Sequence, residues 1–290
     1  MKLSLVIPAK SVDDPKLKEL LRSIESQDFP KDEMETLVIT EGTSESAKAI
    51  GIRKAKGEVI GILASDNELM YPETLSWSYK NAVTFGSATA SEYYYKLDDD
   101  ILNRYFALIG GNDTLSYYMG KNDKSSYLGF KSNPTGSIGD NGYFVRKVAI
   151  ENTDLDNYYH IDNAIETGCF VRYTPFPIWH KTGGNIFSFF AKRYRYGLQH
   201  AFNKNRRWHL VNFSKPQDIR RLLWFILCSL TLIEPLCLSI RGYLKVRDMA
   251  WFIHPIACLM TLSTYALLIA HLGVRRLFQS LSAPMVAQRA

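Results

Sequence analysis

Residues 36–68 read TLVITEGTSESAKAIGIRKAKGEVIGILASDNE, and this stretch decides the fold class. Two short apolar runs, residues 36–40 and 59–63, have the composition of buried strands. Residues 45–55, between the two runs, have the composition of a helix, and the turn 64–68 that follows the second run is polar. A strand, a helix and a second strand in this order predict a parallel strand pair joined by a right-handed crossover.

The residues before this stretch extend the same pattern by one unit. Residues 3–7 form another apolar run, which ends at Pro8, and Asp14-Pro15 supplies a capping carboxylate and a proline at the first helical position. Apolar side chains follow at helical spacing, at Leu17, Leu20, Leu21 and Ile24. The sequence therefore predicts an α/β domain with a mostly parallel sheet and helices on both faces. Ligands of such sheets bind at the carboxyl ends of the strands, which are residues 8–10, 40–43 and 64–67.

Length and composition exclude several classes of protein. The chain has 290 residues, of which 46% are hydrophobic, so it fits one large domain with an appendage and not a disordered chain. The net charge is +6, and nine Lys and Arg lie between Lys192 and Arg221 against one acid, Asp218. Because a long apolar stretch follows and no nucleic-acid module is visible, membrane lipid is favoured over nucleic acid. Four cysteines without paired spacing and an N-terminus without a targeting segment predict that the N-terminal domain lies in the cytoplasm.

Two apolar runs towards the C-terminus predict a membrane anchor. Residues 222–240 contain one charged side chain, Glu234, and residues 249–272 contain no Asp, Glu, Lys or Arg. As helices they would extend about 28 and 36 Å, against a hydrocarbon core of about 30 Å. The short connection 241–248 predicts a hairpin of two transmembrane helices, and the flanking Lys and Arg place both ends in the cytoplasm. Two buried helices of a soluble domain, or a re-entrant first helix kinked at Glu234-Pro235, remain as alternatives.

Eight segments along the chain match one family pattern. They are LSLVIPAK (3–10), LKELLRSIESQDFP (17–30), TLVITEGTSESAKAIGIRKAKGEVIGIL (36–63), ASDNELMYPETL (64–75), GDNGYFVR (139–146), YYHIDNAIETG (158–168), IWH (178–180) and KRYRYG (192–197). In order and spacing they resemble the family 2 glycosyltransferases, which have the GT-A nucleotide-sugar-binding fold. The resemblance implies a glycosyltransferase domain 1–185, divided into a nucleotide-sugar half 1–100 and an acceptor half 101–185. Basic aromatic interfacial helices (186–221), two membrane helices (222–274) and a basic tail (275–290) would follow.

The resemblance also implies a donor site and a metal site. The positions that correspond to nucleotide-sugar contacts are Pro8, Ala9, Lys10, Glu41, Lys48, Ser65 and Asp66. Asp66 and His180 correspond to ligands of Mg²⁺ or Mn²⁺, which would neutralise the diphosphate leaving group. Family members usually carry two acids after each of the second and third strands, whereas this chain keeps one in each place, Glu41 and Asp66. Each of these residues has an alternative interpretation. Glu41 and Asp66 can be solvated turn residues, Lys48 can be a solvated charge, and His180 can have a structural role.

The acceptor side of the site follows from the same resemblance. Asp162 corresponds to the base that removes the proton from the acceptor hydroxyl, and His160, which stands where a glutamate is usual, corresponds to an acceptor-binding position. Asp140 and Asn141 correspond to acceptor-binding positions, although Asp140 is also a rival base and Asp162 can be a helix cap. Arg193 and Arg195 either reach a diphosphate or anchor an interfacial helix.

The sequence thus predicts an inverting, membrane-attached glycosyltransferase that requires a divalent metal. It would transfer a sugar from a nucleotide-diphosphate donor, a UDP-sugar in the first instance, to a lipid-linked or polysaccharide acceptor at the cytoplasmic face of the cell membrane. The alternative is a non-catalytic GT-A module, anchored in the membrane, that acts as a binding or assembly partner. The sequence does not identify the sugar, the acceptor or the linkage.

Overall fold

The structure is a computed structural model that describes residues 1–89, 95–111, 113–120, 128–129, 142–173, 175–181, 185–201 and 209–282. The first half alternates strands and helices, as predicted. Its elements are β1 (Leu3–Pro8), α1 (Pro15–Glu25), a 3₁₀ turn (Lys31–Glu33), β2 (Met34–Ile39), α2 (Ser44–Lys54), β3 (Val59–Ile62), β4 (Asn67–Leu69), α3 (Thr74–Phe85) and β5 (Gly86–Thr89). The strands and helices predicted between residues 3 and 63 are confirmed, with ends shifted by one or two residues.

Shorter elements make up the middle of the chain. They are α4 (Ile101–Ile109), α5 (Thr114–Tyr118), β6 (Leu128–Gly129), β7 (Tyr143–Arg146), α6 (Lys147–Ile150), α7 (His160–Glu166), β8 (Phe170–Tyr173) and β9 (Ile178–His180). Seven of the described strands form one sheet in the order β2-β1-β3-β7-β5-β8-β6. β1 pairs in parallel with β2 and β3, and β5 pairs in parallel with β8, whereas β7 and β6 run in the opposite direction. The prediction of a mostly parallel sheet is confirmed.

The two faces of this sheet bury two separate apolar cores. On β1, Leu3, Leu5 and Ile7 point into a core that also contains leucines of α1, while Val6 points into the other core with Ile52 of α2. Alternate residues of a strand face opposite sides, so a strand that is apolar at every position requires cover on both. The helices therefore lie on both faces, as the sequence predicts.

A second, smaller sheet lies beside the main one. β4 and β9 pair antiparallel, with Asn67 opposite His180 and Leu69 opposite Ile178. Leu69 and Ile178 are both buried in the same core as β1 and α1. This sheet therefore fixes the turn after β3 against a segment from much later in the chain.

Helices dominate the last third of the described chain. They are α8 (Ile186–Ala201), α9 (Pro216–Thr231), α10 (Ile233–Lys245), a 3₁₀ turn (Met249–Ile253) and α11 (His254–Ser282). One apolar core joins α4 to α8, the 3₁₀ turn and α11, and another joins α5 to α9 and α11. The helices α4 and α5 thus pack on the C-terminal helices, although the sequence analysis assigns α4 and α5 to the acceptor half.

The first apolar run is not one straight helix, and its break lies close to Glu234-Pro235, where the sequence leaves a kinked or re-entrant helix as an alternative. It is divided between α9 and α10, which meet at Leu232 with an angle of 84°. Leu232 has a left-handed backbone with φ of 57°, and at about 1.5 Å per residue α9 and α10 extend only about 24 and 20 Å. One helix, over Met249–Arg275, is long and apolar enough to cross a membrane by length and composition. The α9–α10 pair passes the same test only when it is counted as one broken span, so a hairpin of two transmembrane helices is not confirmed for residues 222–274.

Candidate active site at the strand ends

The three strand ends that the sequence singles out lie side by side. Pro8 at the end of β1 is level with Ile39 at the end of β2, and Ala9 N–H donates to the Ile39 carbonyl over 2.9 Å. On the other side of β1, Leu63 N–H donates to the Val6 carbonyl over 3.1 Å. Pro8 and Ala9 are half-buried at this edge, and the predicted donor contacts Lys10 and Glu41 are exposed. The sheet therefore presents one crevice bordered by three strand ends, where ligands of such sheets bind.

The turn that carries Asp66 is fixed by its neighbour. Asn67 Oδ1 accepts from Ala64 N–H over 2.9 Å, and Asn67 N–H donates to the Ala64 carbonyl over 3.0 Å. Asn67 is itself buried. The Asn67 side chain thus holds the turn closed and leaves Asp66 and Ser65 half-buried at the crevice.

Asp66 and His180 are in direct contact. The distance between Asp66 Oδ1 and His180 Nε2 is 3.3 Å, and Lys181 N–H donates to the Asp66 carbonyl over 2.9 Å. The side chains of Asp66 and His180 retain 22% and 15% of their exposure, so a ligand in the crevice can reach both. The two metal ligands implied by the resemblance are therefore neighbours in space, although they are far apart in sequence.

The charges around Asp66 keep it ionised. Burial raises the pKa of a carboxyl group, but the hydrogen bond from His180 and the positive charges of His180, Lys16 and Lys192 outweigh it, and the pKa of Asp66 is lowered. Lys16 also donates to the Lys181 carbonyl over 2.8 Å, which places its ammonium at the base of the small sheet. Neither Lys16 nor Lys192 was predicted to lie near Asp66, because an isolated lysine belongs to no sequence motif.

A divalent cation fits the chemistry of the Asp66–His180 pair. A carboxylate oxygen and an imidazole nitrogen are both ligands that Mn²⁺ accepts, and such ions commonly complete their shell with substrate phosphates and water. The described residues contain no group of three or more His, Cys, Asp and Glu side chains placed to hold a metal. Asp66 and His180 would therefore hold an ion mainly together with a diphosphate.

Lys48 is not the solvated charge that the sequence leaves as an alternative. It lies on α2 and is only 4% exposed. Lysine is almost never this buried unless its ammonium has polar or charged partners. A role of Lys48 at the donor site stays a prediction, but an idle surface position is excluded.

Asp162 and His160 reach the same edge of the sheet through β7. The ring of His160 packs edge-to-face on Tyr143 with centroids 5.2 Å apart, and Tyr143 pairs with Ile62, the last residue of β3. Tyr158 Oη and His160 Nδ1 are 3.1 Å apart. Asp162 lies in the first turn of α7 and is buried. Because β7 begins where β3 ends, the N-terminus of α7 is at the carboxyl ends of β1–β3.

The other predicted acceptor contacts, Asp140 and Asn141, lie outside the described residues. Of the two predicted diphosphate contacts, Arg195 is exposed on α8. Arg193 donates to Asp113 Oδ2 over 2.6 Å, and Tyr265 Oη donates to the same oxygen over 2.7 Å. Arg193 thus connects α8 to α5 and α11, and its contact with a diphosphate stays a prediction.

An aromatic side chain next to His180 was missed by the sequence analysis. Trp179 Nε1 donates to Asp99 Oδ2 over 2.6 Å, and Asn103 donates to Asp99 Oδ1 over 2.9 Å. The ammonium groups of Lys96 and Lys181 lie 4.3 and 4.5 Å from the centre of the Trp179 ring. The sequence analysis assigns Asp99 to the start of a helix, and α4 does begin at Ile101. The second role of Asp99 is to orient Trp179 beside the crevice, and this role depends on a contact between segments that are distant in sequence.

Comparison with known proteins gives structural likenesses at low sequence identity. No protein-family model and no curated protein matches the chain. A mannosyltransferase, PcManGT from Pyrobaculum calidifontis in complex with GDP-Man and Mn²⁺, matches with 13% identity and a TM-score of 0.48 over 91% of this chain and 86% of that one. S. aureus TarS 1-349 matches with 13% identity and a TM-score of 0.39 over 90% and 81%. TarS 1-349 in complex with UDP-GlcNAc matches with 13% identity and a TM-score of 0.33 over 89% and 80%.

Proposed function

We propose that this protein is an inverting glycosyltransferase that takes a nucleotide-diphosphate sugar, a UDP-sugar in the first instance, as donor. The observation that carries the proposal is the Asp66–His180 contact of 3.3 Å at the carboxyl ends of three adjacent strands. The buried Asp162 is in the first turn of α7, and the ring of its neighbour His160 packs on Tyr143, which pairs with the last residue of β3. The acceptor is a lipid-linked or polysaccharide hydroxyl at the cytoplasmic face of a membrane.

The residues at the crevice have four roles in this reaction: binding the nucleotide, adding positive charge, holding the metal and accepting a proton. Pro8, Ala9 and Glu41 line the nucleotide side, and Lys16 and Lys192 add positive charge where a diphosphate would leave. Asp66 and His180 would hold Mg²⁺ or Mn²⁺, which neutralises charge on the departing diphosphate when it is bound. Asp162 accepts the proton of the acceptor hydroxyl as that oxygen attacks the anomeric carbon opposite the leaving group. The product has the inverted anomeric configuration because one displacement occurs.

The base is tested by Asp162→Asn, which preserves the shape of the side chain but cannot accept the proton. We expect turnover with the sugar donor to fall by about 10² to 10⁴-fold while UDP binding is retained. Glu166→Gln is the matched control, because it makes the same chemical change on the same helix at a half-buried position, where the carboxylate accepts from Asp154 N–H. Equal turnover in the two variants would assign the base to another group.

The metal ligand is tested by Asp66→Ala. In the parent protein we expect Mn²⁺ to increase the thermal stabilisation by UDP, because a ligand that binds the folded state raises its stability. In Asp66→Ala this increase is expected to disappear. If neither protein responds to UDP with or without Mn²⁺, the non-catalytic module is the better description of the chain.

A further inference from the structure

The helices α9 and α10 turn apolar side chains outward along one stripe each. On α9 the exposed residues recur every three or four positions, at Leu223, Leu227 and Leu230, and the stripe continues on α10 at Ile233, Leu236, Ile240 and Leu244. These side chains are 47–68% exposed. Soluble proteins rarely leave contiguous apolar surface of this kind in water, and neither helix is long enough to cross a bilayer. An apolar partner therefore covers this stripe from one side.

The helix α11 is held against the rest of the protein along its length by polar contacts. His254 Nδ1 lies 2.8 Å from Tyr105 Oη of α4, and Thr114 of α5 donates to Thr261 over 2.6 Å. Further along, Tyr194 Oη of α8 lies 2.9 Å from His271 Nδ1. The opposite side of α11 is apolar and exposed, at Ile256, Leu259, Leu267 and Val274. The helix therefore lies along the protein and has one free apolar face.

A partly buried ion pair, Asp113 with Arg193, argues against α11 crossing a bilayer. Asp113, which accepts from both Arg193 and Tyr265, is 7% exposed and contacts α11 near the middle of the apolar run Met249–Arg275. If this run crossed a membrane, Asp113 and Arg193 would lie near the bilayer midplane. Charged groups at that depth cost several kcal/mol, on the order of 2.5–3.5 kcal/mol each even by the lowest scale.

The charges beside these faces have one sign. Three acids occur in described residues 185–201 and 209–275. Asp218 and Asp248 are buried, and Glu234 is half-buried with its carboxylate accepting from Tyr118. The exposed charged side chains of these ranges are all cationic: Lys192, Arg195, Lys215, Arg220, Arg241, Lys245, Arg247 and Arg275. Basic side chains next to a membrane-inserted surface favour anionic headgroups by about 1 kcal/mol each.

We propose that the exposed faces of α9, α10 and α11 form an in-plane docking surface for one leaflet of an anionic bilayer. In this arrangement no helix crosses the membrane, and the three apolar faces enter the acyl boundary while the surrounding cations contact headgroups. The docking surface itself does not rest on the proposed function. Only its consequence does, namely that a lipid-linked acceptor would lie in the leaflet to which the protein binds.

The topology is tested by single cysteines in a Cys169→Ser, Cys237→Ser background, where the remaining native cysteines are buried. The three probes are Glu25→Cys, Arg247→Cys and Arg275→Cys, all at exposed positions. Glu25 is on the part of the protein that contains the seven-stranded sheet, here called the sheet domain, Arg247 follows α10, and Arg275 is near the end of α11. Spheroplasts of an expressing bacterium are treated with a membrane-impermeant maleimide before and after lysis. We expect the three probes to behave alike, unlabelled in intact spheroplasts and labelled after lysis.

Two other outcomes would overturn the in-plane arrangement. Labelling of Arg247→Cys on the side opposite to Glu25→Cys would mean a spanning hairpin. Labelling of Arg275→Cys on the side opposite to Glu25→Cys would mean that α11 crosses the membrane. Both comparisons are internal to the protein, so they hold whichever side the sheet domain occupies.

The surface itself is tested with purified full-length protein and vesicles that contain about one third anionic lipid. Leu230→Glu places a charge in the apolar stripe, at a residue that is 66% exposed, and we expect it to weaken vesicle partitioning at least tenfold. Val148→Glu is the matched control, since Val148 is 58% exposed on α6 of the sheet domain, and it is expected to partition like the parent.

The remaining outcomes of this assay separate the alternatives. Equal partitioning of the two variants would overturn the proposal. If the parent instead forms stable dimers that exclude lipid, and Leu230→Glu dissociates them, the stripe is an interface between copies of this chain. Asp162→Asn is expected to bind vesicles like the parent, so failure of the proposed chemistry and failure of the docking surface give different results.

Discussion

The strands β1–β3 and the helices α9–α11 are both rich in aliphatic residues, yet they place these residues in opposite environments. On β1, Leu3, Leu5 and Ile7 are completely buried, whereas Leu223 and Leu230 on α9 are more than half exposed. A continuously apolar strand is covered because both of its faces have helical cover. An apolar helix whose polar positions already bind the protein has only one face left to cover. The hydropathy of a segment therefore does not distinguish a buried core element from a docking surface. The distinction is whether its apolar face is covered by other parts of the protein.

The largest expected difference between the two regions is in the cost of removing a leucine side chain. Leu5→Ala is expected to lower the free energy of unfolding by about 2–5 kcal/mol, because it leaves a cavity between β1 and the ring of Phe144. Leu223→Ala removes the same atoms from an exposed position and is expected to change stability by less than about 0.5 kcal/mol in lipid-free buffer. Chemical denaturation of both variants measures the contrast. Similar losses would mean that α9 is covered by protein in solution.

A smaller effect is expected at the ion pair that attaches α11. Asp113→Asn removes the charge that pairs with Arg193 and weakens the bond from Tyr265, so we expect a loss of about 2 kcal/mol, reduced by the partial exposure of Arg193. The control is Asp156→Asn, which removes the charge from the surface pair with Arg53 and is expected to cost under about 1 kcal/mol. Hydrogen exchange would report whether the loss is local to α11. A uniform loss over the sheet would show that the helical region and the sheet unfold together.

The smallest effect concerns Glu35 on β2. Burial opposes ionisation of this carboxyl, but hydrogen bonds from Ser4 Oγ and Lys56 N–H, both 2.6 Å, and the Lys56 charge outweigh it and lower the pKa. A lowered pKa stabilises the folded state above the ordinary value of 4.5, and this stability is lost as the pH falls through the folded value. Glu35→Gln is therefore expected to cost about 1 kcal/mol at neutral pH and progressively less as the pH falls below 4.5. A cost that does not change with pH would show that shape, and not charge, matters at this position.

The sheet could be predicted because its signals are local. The apolar run of β1 and the Asp14-Pro15 start of α1 each act within a few residues, and each is present in the structure. A break in the first apolar run is signalled at Glu234-Pro235, but its position at Leu232 and its left-handed backbone do not follow from local signals. Leucine disfavours a left-handed backbone, so the bend depends on packing of α9 and α10 against α5 and α11.

The candidate site could be predicted only where the family resemblance covers it. Asp66 and His180 were paired by that resemblance, and their contact agrees with it. Trp179, which binds Asp99, and Lys16, which lies near Asp66, were missed. Their importance comes from contacts between distant segments, and a pattern of spacing within one helix or strand cannot express such contacts.

The pairing of β4 with β9 also sets the order in which the site can form during synthesis. Asn67 can pair with His180 only after the ribosome has made and released roughly 110 further residues, and closing so long a loop slows the pairing relative to local structure. The β1–β3 strand ends are complete by residue 63. A nascent chain therefore has these strand ends well before it has the Asp66–His180 pair, and a translation product that ends before β9 would lack the pair to which the proposed function assigns the metal.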